Sequence, residues 1–256
     1  MENLLPPVPI SRVVPYHAVM MAVVLAAGRG TRMGALTTHT PKPLLTLKER
    51  PIIEHILIGL RSAGVDRAVV VTGYRGEQVE AYLGDGSRLG LRLTYHRQER
   101  PEGTAKALLR AADAAAQDAF VLSWGDIVVT PSNYGALVAA FAQQPCDALL
   151  MVNEMDDPWR GAAVYVDAQW RVTQLIEKPL RGTSQTCWNN AGLFVFTPVI
   201  FTYAARVQPS ARCEYELPQA IAAMIHDGRA VRACAVRGFW SDLGTPEDLA
   251  VAEGAL

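Results

Sequence analysis

An unbroken apolar run, Ala18–Ala26, ends directly at a glycine-rich turn. This feature constrains the fold more than any other. A stretch with no polar residue on either face reads as a strand buried on both sides, the kind found at the centre of a parallel sheet. It is well short of the roughly 20 apolar residues needed to span a bilayer. It also differs from a secretory leader, because no Lys- or Arg-rich segment closely precedes it and charges follow at once. Residues 1–17 are proline-rich and read as an arm or extension ahead of a single domain over 18–256.

The pattern then alternates. Pro51 opens an amphipathic helix through IIEHILIGLRSAG that stops near Gly64, and DRAVVVTG (66–73) is a second buried strand. GEQVEAYLGDG is a short helix and LRLTYHRQ (91–98) a third strand. GTAKALLRAADAAA (103–116) is an alanine-rich helix and AFVLSWGD (119–126) a fourth strand. This order predicts an α/β fold, a doubly wound, mostly parallel, Rossmann-like sheet. The second half predicts a small mixed β lobe for substrate, with strands in DALLMVNEM, GAAVYVD, RVTQLIEK, NNAGLFVF and AVRACAV. Helices are expected near 198–206, from Glu214 to Gly228, and from Pro246. No linker composition divides the halves, and 256 residues, half of them hydrophobic, suffice for one core.

Charge and cysteine content remove several classes. A net charge of −1 gives no basic field for nucleic acid, so an anionic ligand would need a local cluster of cations. The four cysteines are widely spaced without a C-x-x-C pair, which suggests neither zinc nor a disulfide framework and fits a reducing cytoplasm. The histidines show no metal spacing, and no G-x-S-x-G elbow is present.

The turn itself reads LAAGRGTRMG (25–34). Gly28 and Gly30 fit G-x-G, but Gly34 comes one position late for a dinucleotide fingerprint. The second strand ends in VTGYRG, without the acid that would hold a ribose, and the P-loop pattern is absent. What remains is bare backbone able to approach an anion, with Arg29, Arg32 and the proline-flanked Lys42 of TPKPLL nearby. The alternative is a solvated loop.

Other candidates lie at predicted element ends. WGDI puts Asp126 at the carboxyl end of a strand, where open α/β sheets bind ligands, and WSDLGTPEDL puts Asp242 in a glycine-bounded turn. Two carboxylates meeting over phosphates would suit Mg²⁺, whereas each alone is commonly a turn or cap residue. IEKP places Glu177 beside Lys178 at a strand end, where a twist of the chain lets both reach one ligand. An ordinary surface pair is the alternative. QERPEGTAKAL sets Gly103 and Thr104 at a helix start, suited to a base and negative charge, or to simple capping by Thr104.

Taken together, LAAGRGTRM with TPKPLL, EGTAKAL, WGD, EKP, NNAGLFVF and WSDLGTP resemble the sugar-1-phosphate nucleotidylyltransferases, the NDP-sugar pyrophosphorylases, over about residues 20–250. The resemblance implies an enzyme that joins an NTP to a sugar 1-phosphate with Mg²⁺. Leu25, Ala26, Ala27, Gly28, Gly30, Thr31, Gln98, Gly103 and Thr104 would then contact the nucleotide. Arg32 and Lys42 would hold phosphate, and Asp126 and Asp242 would bind the metal. Gly161, Glu177, Lys178, Asn190, Gly192 and Trp240 would surround the sugar and its phosphate. Ala-Ala-Gly stands where many thymidylyltransferases have Gly-Gly, which keeps UTP and dTTP ahead of GTP and CTP without choosing between them. A guanylyltransferase of mannose 1-phosphate, a cytidylyltransferase of a phosphocholine-like acceptor and a non-catalytic nucleotide-sugar sensor are the rival readings. No hexapeptide repeat follows Asp242, so a single activity is expected, with no nucleic acid or membrane partner. A homo-oligomer stays open.

Overall fold

The computed structural model describes residues 21–255, so the expected arm and the first residues of the opening strand lie outside the described residues. The chain runs through β1 (Met21–Ala26), a small hairpin of β2 (Thr46–Leu47) and β3 (Arg50–Pro51), α1 (Ile52–Ser62), β4 (Arg67–Thr72), α2 (Gly76–Leu83) and β5 (Arg92–Arg97). Two short helices, α3 (Thr104–Leu109) and α4 (Ala112–Ala115), lead to β6 (Phe120–Trp124), β7 (Ile127–Val129) and α5 (Ser132–Gln143). The remainder is β8 (Ala148–Glu154), β9 (Ala162–Val166), β10 (Val172–Glu177), β11 (Trp188–Phe196), α6 (Val199–Ala204), α7 (Leu217–His226), β12 (Val231–Ala235), β13 (Trp240–Asp242) and α8 (Pro246–Ala255).

The doubly wound sheet is present. β5, β4, β1 and β6 are parallel neighbours, with β1 between β4 and β6. Alternate residues of β1 feed two cores: Ala22, Val24 and Ala26 pack with α1 and α5, while Met21, Val23 and Leu25 pack with α3, α6 and α7. Both faces are covered, which is why the strand carries no polar residue.

The mixed half extends the same sheet. β11 runs antiparallel to β6 through Leu193–Phe196, and beyond its bulge Asn189 pairs with Ala163 of β9. β10 pairs with β9, and β8 lies between β11 and β12. The other end of β11 therefore reaches the carboxyl edge of the parallel strands.

Two helix expectations need correction. The alanine-rich helix over 103–116 divides into α3 and α4 at Ala111, which takes φ −93° and ψ 2°. Helix propensity alone does not carry the chain through this position, although Leu108, Ala111 and Ala115 still enter one cluster, as they would on an unbroken helix. The helix expected from Glu214 begins at Leu217, because Glu216 is extended and Pro218 fits the first turn.

Candidate active site

The glycine turn leaves β1 at the carboxyl edge of the parallel strands. Leu25, Ala26 and Ala27 are buried, Gly28 is exposed with nothing above its Cα, and Gly30 takes φ 64°. Thr31 and Arg32 open the 3₁₀ segment Thr31–Thr37. Two glycines form the floor of this turn. A Cβ on Gly73 would lie 2.4 Å from the Ala27 carbonyl oxygen, and one on Gly125 2.8 Å from that of Leu25.

The residues after Gly73 grip the far end of the loop. Tyr74 OH donates toward the Thr37 and Thr38 carbonyls at 3.3 and 3.2 Å, and Arg75 Nη2 donates to the Thr38 oxygen at 3.0 Å. Arg29 and Arg75 lie over the Tyr74 ring at 5.3 and 5.4 Å. In the sequence, Gly73–Arg75 reads only as a strand end lacking an acid. The glycine closing each of two parallel strands was the available signal.

Four charged groups meet in front of this turn. Lys42, 6% exposed, places Nζ 2.6 Å from Asp126 Oδ2. β13 pairs antiparallel with β7, matching Asp242 to Ile127, and Leu243 N donates to the Asp126 carbonyl at 3.0 Å. Asp242 thus stands beside Asp126. Its Oδ1 is buried without a hydrogen-bond partner. Burial pushes its carboxyl up to about 6 and the Asp126 charge adds to this, against Lys42 and Arg32. No group of three or more His, Cys, Asp or Glu suited to a metal occurs among the described residues. Asp126 and Asp242 are the pair that could hold a divalent cation, one that shares its coordination with phosphate oxygens.

Arg32 completes the group by lying across Gly244. A Cβ there would approach Arg32 Nη1 to 2.9 Å. Gly244→Ala is therefore expected to displace the guanidinium while the fold tolerates the methyl. Turnover should fall by about tenfold with the melting temperature nearly unchanged. Equal turnover in both proteins would show that the Arg32 position does not matter to the reaction.

The base and sugar ends flank this centre. Gln98 is buried at the end of β5, its Nε2 donating to the Gly103 carbonyl at 3.1 Å. Gly103 lies against the Tyr215 backbone. Thr104 Oγ1 accepts the Leu217 amide at 2.8 Å, so this hydroxyl caps α7 and not its own helix, which overturns the alternative of local capping. The expected twist occurs after β10: Lys178 takes φ 45°, and its amide donates to the Gly161 carbonyl at 2.8 Å.

Glu177 beside it accepts from Arg212 Nη2 at 3.4 Å, while Arg212 also binds the buried Glu216. Burial raises the Glu177 carboxyl to about 7, and the Glu216 charge adds to this against Arg212. Nothing in the sequence pattern singled out Arg212, which stands in an irregular stretch before α7. Asn189, also missed, accepts the Ala162 amide at 3.2 Å and donates to Asn153 Oδ1 at 2.8 Å, tying β11 to β9 and β8. Asn190 Oδ1 accepts the Gly192 amide at 3.1 Å, whereas its buried Nδ2 has no partner. The Trp240 indole N–H is taken by the Ala191 carbonyl at 3.0 Å, leaving only its ring for a ligand.

Glu177 carries a pH signature. Its pKa is raised on folding, so its favourable contribution is complete below about 4.5 and is lost as pH rises through about 7. In ligand-free protein, Glu177→Gln should raise stability at pH 8 by about 1–3 kcal/mol and change it little near pH 4. Thermal melts at the two pH values check this. No gain at pH 8 would mean that Arg212 already neutralises the carboxylate.

A glycine turn at the carboxyl edge of a parallel sheet, facing two carboxylates and two cations, lies where open α/β sheets take their ligands. The family model for nucleotidyl transferases matches residues 21–256, and the chain belongs to that family. It is 37% identical over 241 residues to the UTP–glucose-1-phosphate uridylyltransferase AglF of Haloferax volcanii, covering 93% of this chain and 96% of that protein. It is 34% identical to the low-salt glycan biosynthesis nucleotidyltransferase Agl11 of the same organism over 231 residues, covering 90% of this chain. A glucose-1-phosphate thymidylyltransferase of Streptomyces griseus is 32% identical over 230 residues, again with 90% of this chain covered. The chain spans 64% of the length of each of these last two proteins. A Bacillus anthracis crystal structure described as a glucose-1-phosphate thymidylyltransferase superposes with TM-score 0.83 at 26% identity, covering 92% of this chain and 94% of that one. A UDP-glucose pyrophosphorylase shares the fold with TM-score 0.85 at 19% identity, covering 93% and 98%.

Proposed function

We propose that the protein is a Mg²⁺-dependent sugar-1-phosphate nucleotidylyltransferase. It transfers a nucleotidyl group from UTP or dTTP to a sugar 1-phosphate and releases pyrophosphate. The observation that carries this reading is the convergence of Arg32, Lys42, Asp126 and Asp242 before the glycine turn. The names of AglF and of the Streptomyces enzyme support UTP and dTTP. A Mycobacterium tuberculosis mannose-1-phosphate guanylyltransferase, 31% identical over 232 residues, keeps GTP as the second reading.

The chemistry needs little from the protein beyond holding two anions together. A phosphate oxygen of the sugar attacks the α-phosphorus in line. The new P–O bond forms as the bond to the β-phosphate bridging oxygen breaks, and pyrophosphate leaves with that electron pair. The nucleophile is already ionised, so no protein base is required. The backbone of the Ala27–Gly30 turn cradles the triphosphate, and Arg32 holds the departing pyrophosphate. Lys42 keeps Asp126 in place. Lys178 and Arg212 hold the sugar phosphate, and Glu177 accepts sugar hydroxyls. The unpartnered Asp242 oxygen beside Asp126 fits a hard cation, and both carboxylates would hold Mg²⁺. When bound, that ion offsets the charge of the converging phosphates. No described helix is long and apolar enough to cross a membrane, and a requirement for NTP fits a cytoplasmic protein.

The test is pyrophosphate release with Mg²⁺, using UTP, dTTP, GTP and CTP against a panel of sugar 1-phosphates. Release should require both an NTP and a sugar phosphate, and be fastest with UTP or dTTP. Release with GTP alone would move the base. Release with CTP and phosphocholine would move the acceptor. Silence throughout, with NDP-sugar binding still measurable, would leave a sensing module instead of an enzyme.

A further inference from the structure

Two loops meet at the outer edge of the sugar end. Residues 155–161 join β8 to β9, and residues 178–187 join β10 to β11. They are stitched together twice: Lys178 N donates to the Gly161 carbonyl at 2.8 Å, and Gly182 N donates to Asp157 Oδ2 at 2.7 Å. Trp159, half-buried, stands in the first loop. The Arg160 guanidinium carbon lies 5.0 Å from its ring centre, and that of Arg181, from the second loop, lies 5.5 Å away.

Two guanidinium groups from different loops therefore share one indole. Neither has a carboxylate partner, since no acidic oxygen comes within ion-pair distance of either among the described residues. Flexible like charges separate in water unless something gathers them. The electron-rich faces of Trp159 attract both cations and hold them together. No ion pair takes up the charge gathered this way, although the Asp157 carboxylate is held on the amide that follows Arg181, and it stands next to the sugar end: Arg160 immediately precedes Gly161, and Arg181 comes three residues after Lys178.

Guanidinium forks match the planar, paired oxygens of carboxylate and phosphate. On the nucleotidyltransferase reading, on which this inference rests, the 1-phosphate of the sugar already has Lys178 and Arg212. Two further unpaired arginines exceed what that group requires. We propose that Trp159, Arg160 and Arg181 form a subsite for a second anionic group on the sugar, so that the preferred acceptor is an acidic sugar 1-phosphate carrying an added carboxylate or phosphate. Glucose 1-phosphate, the acceptor in the names of AglF and the Streptomyces enzyme, lacks such a group.

The test compares glucose 1-phosphate, glucuronic acid 1-phosphate and glucose 1,6-bisphosphate with the full-length protein, Mg²⁺ and the NTP that gives the fastest pyrophosphate release. At least one doubly anionic acceptor should exceed glucose 1-phosphate in kcat/KM by about tenfold, and which one does separates carboxylate from phosphate. The double variant R160Q/R181Q should erase that preference through KM, and added salt should weaken it in the parent protein. Both side chains are exposed, so the substitutions leave the core intact. Two results would overturn the subsite. One is glucose 1-phosphate used as well as both acids. The other is an equal loss for all three acceptors in the variant, which would assign the arginines to the shared 1-phosphate. Failure of every NTP with every acceptor would instead defeat the nucleotidyltransferase reading, and the subsite with it.

Discussion

Asp242→Asn is expected to lower turnover by about three orders of magnitude without unfolding the protein. The substitution is nearly isosteric and keeps the β7–β13 pairing that carries residue 242. What it removes is one of two carboxylates that face the glycine turn. The effect on folding has the opposite sign to the effect on chemistry. Burial and the Asp126 charge lift the Asp242 carboxyl to about 6, so at pH 8 the metal-free fold carries an ionised group it disfavours. The variant should therefore melt no lower than the parent at pH 8, and the two should converge near pH 4. Mg²⁺ should raise the melting temperature of the parent and do so much less in the variant. A variant with near-normal turnover, or with an undiminished response to Mg²⁺, would remove Asp242 from the metal pair.

The parallel half of the fold was legible because its signals are local. Each buried strand announces itself as an apolar run, and Pro51 and Gly64 punctuate α1. The helix breaks were not legible, because no glycine or proline stands at Ala111 or Glu216 to mark them. The same division holds at the site. Asp126, Asp242, Lys42 and the Glu177–Lys178 pair stand out by residue type at element ends. That Asp126 and Asp242 adjoin depends on the pairing of two three-residue strands far apart in the chain, which no local pattern encodes. Gly73 and Gly125 reveal their purpose only once β1 is known to lie between β4 and β6. Arg212 and Asn189 become site residues only through partners distant in the chain, Glu177 on β10 for the one and Ala162 and Asn153 on β9 and β8 for the other. Thr104, read for its own helix, serves α7 because the two helices pack against each other.

Lys42→Met should separate two roles of one ammonium group. Pro41 and Pro43 hold the residue in place and its stem is buried, so methionine preserves the packing and removes the charge. Turnover should fall by about 100- to 1,000-fold, because Asp126 loses the 2.6 Å contact that aims it. The loss of stability should stay near 1–2 kcal/mol, less than for a fully buried pair, since the Asp126 side chain is 33% exposed and water can reach it. Without the ammonium, Asp126 and Asp242 repel each other with Arg32 as the remaining cation that opposes their charge. A divalent ion then has more to neutralise. The rise in melting temperature with Mg²⁺ should accordingly be larger in Lys42→Met than in the parent, even as turnover collapses. A smaller rise would mean that Lys42 shapes the metal pair instead of competing with the metal for it. Normal turnover would reduce the Lys42–Asp126 contact to a structural tie between the segment after the glycine turn and the end of β6.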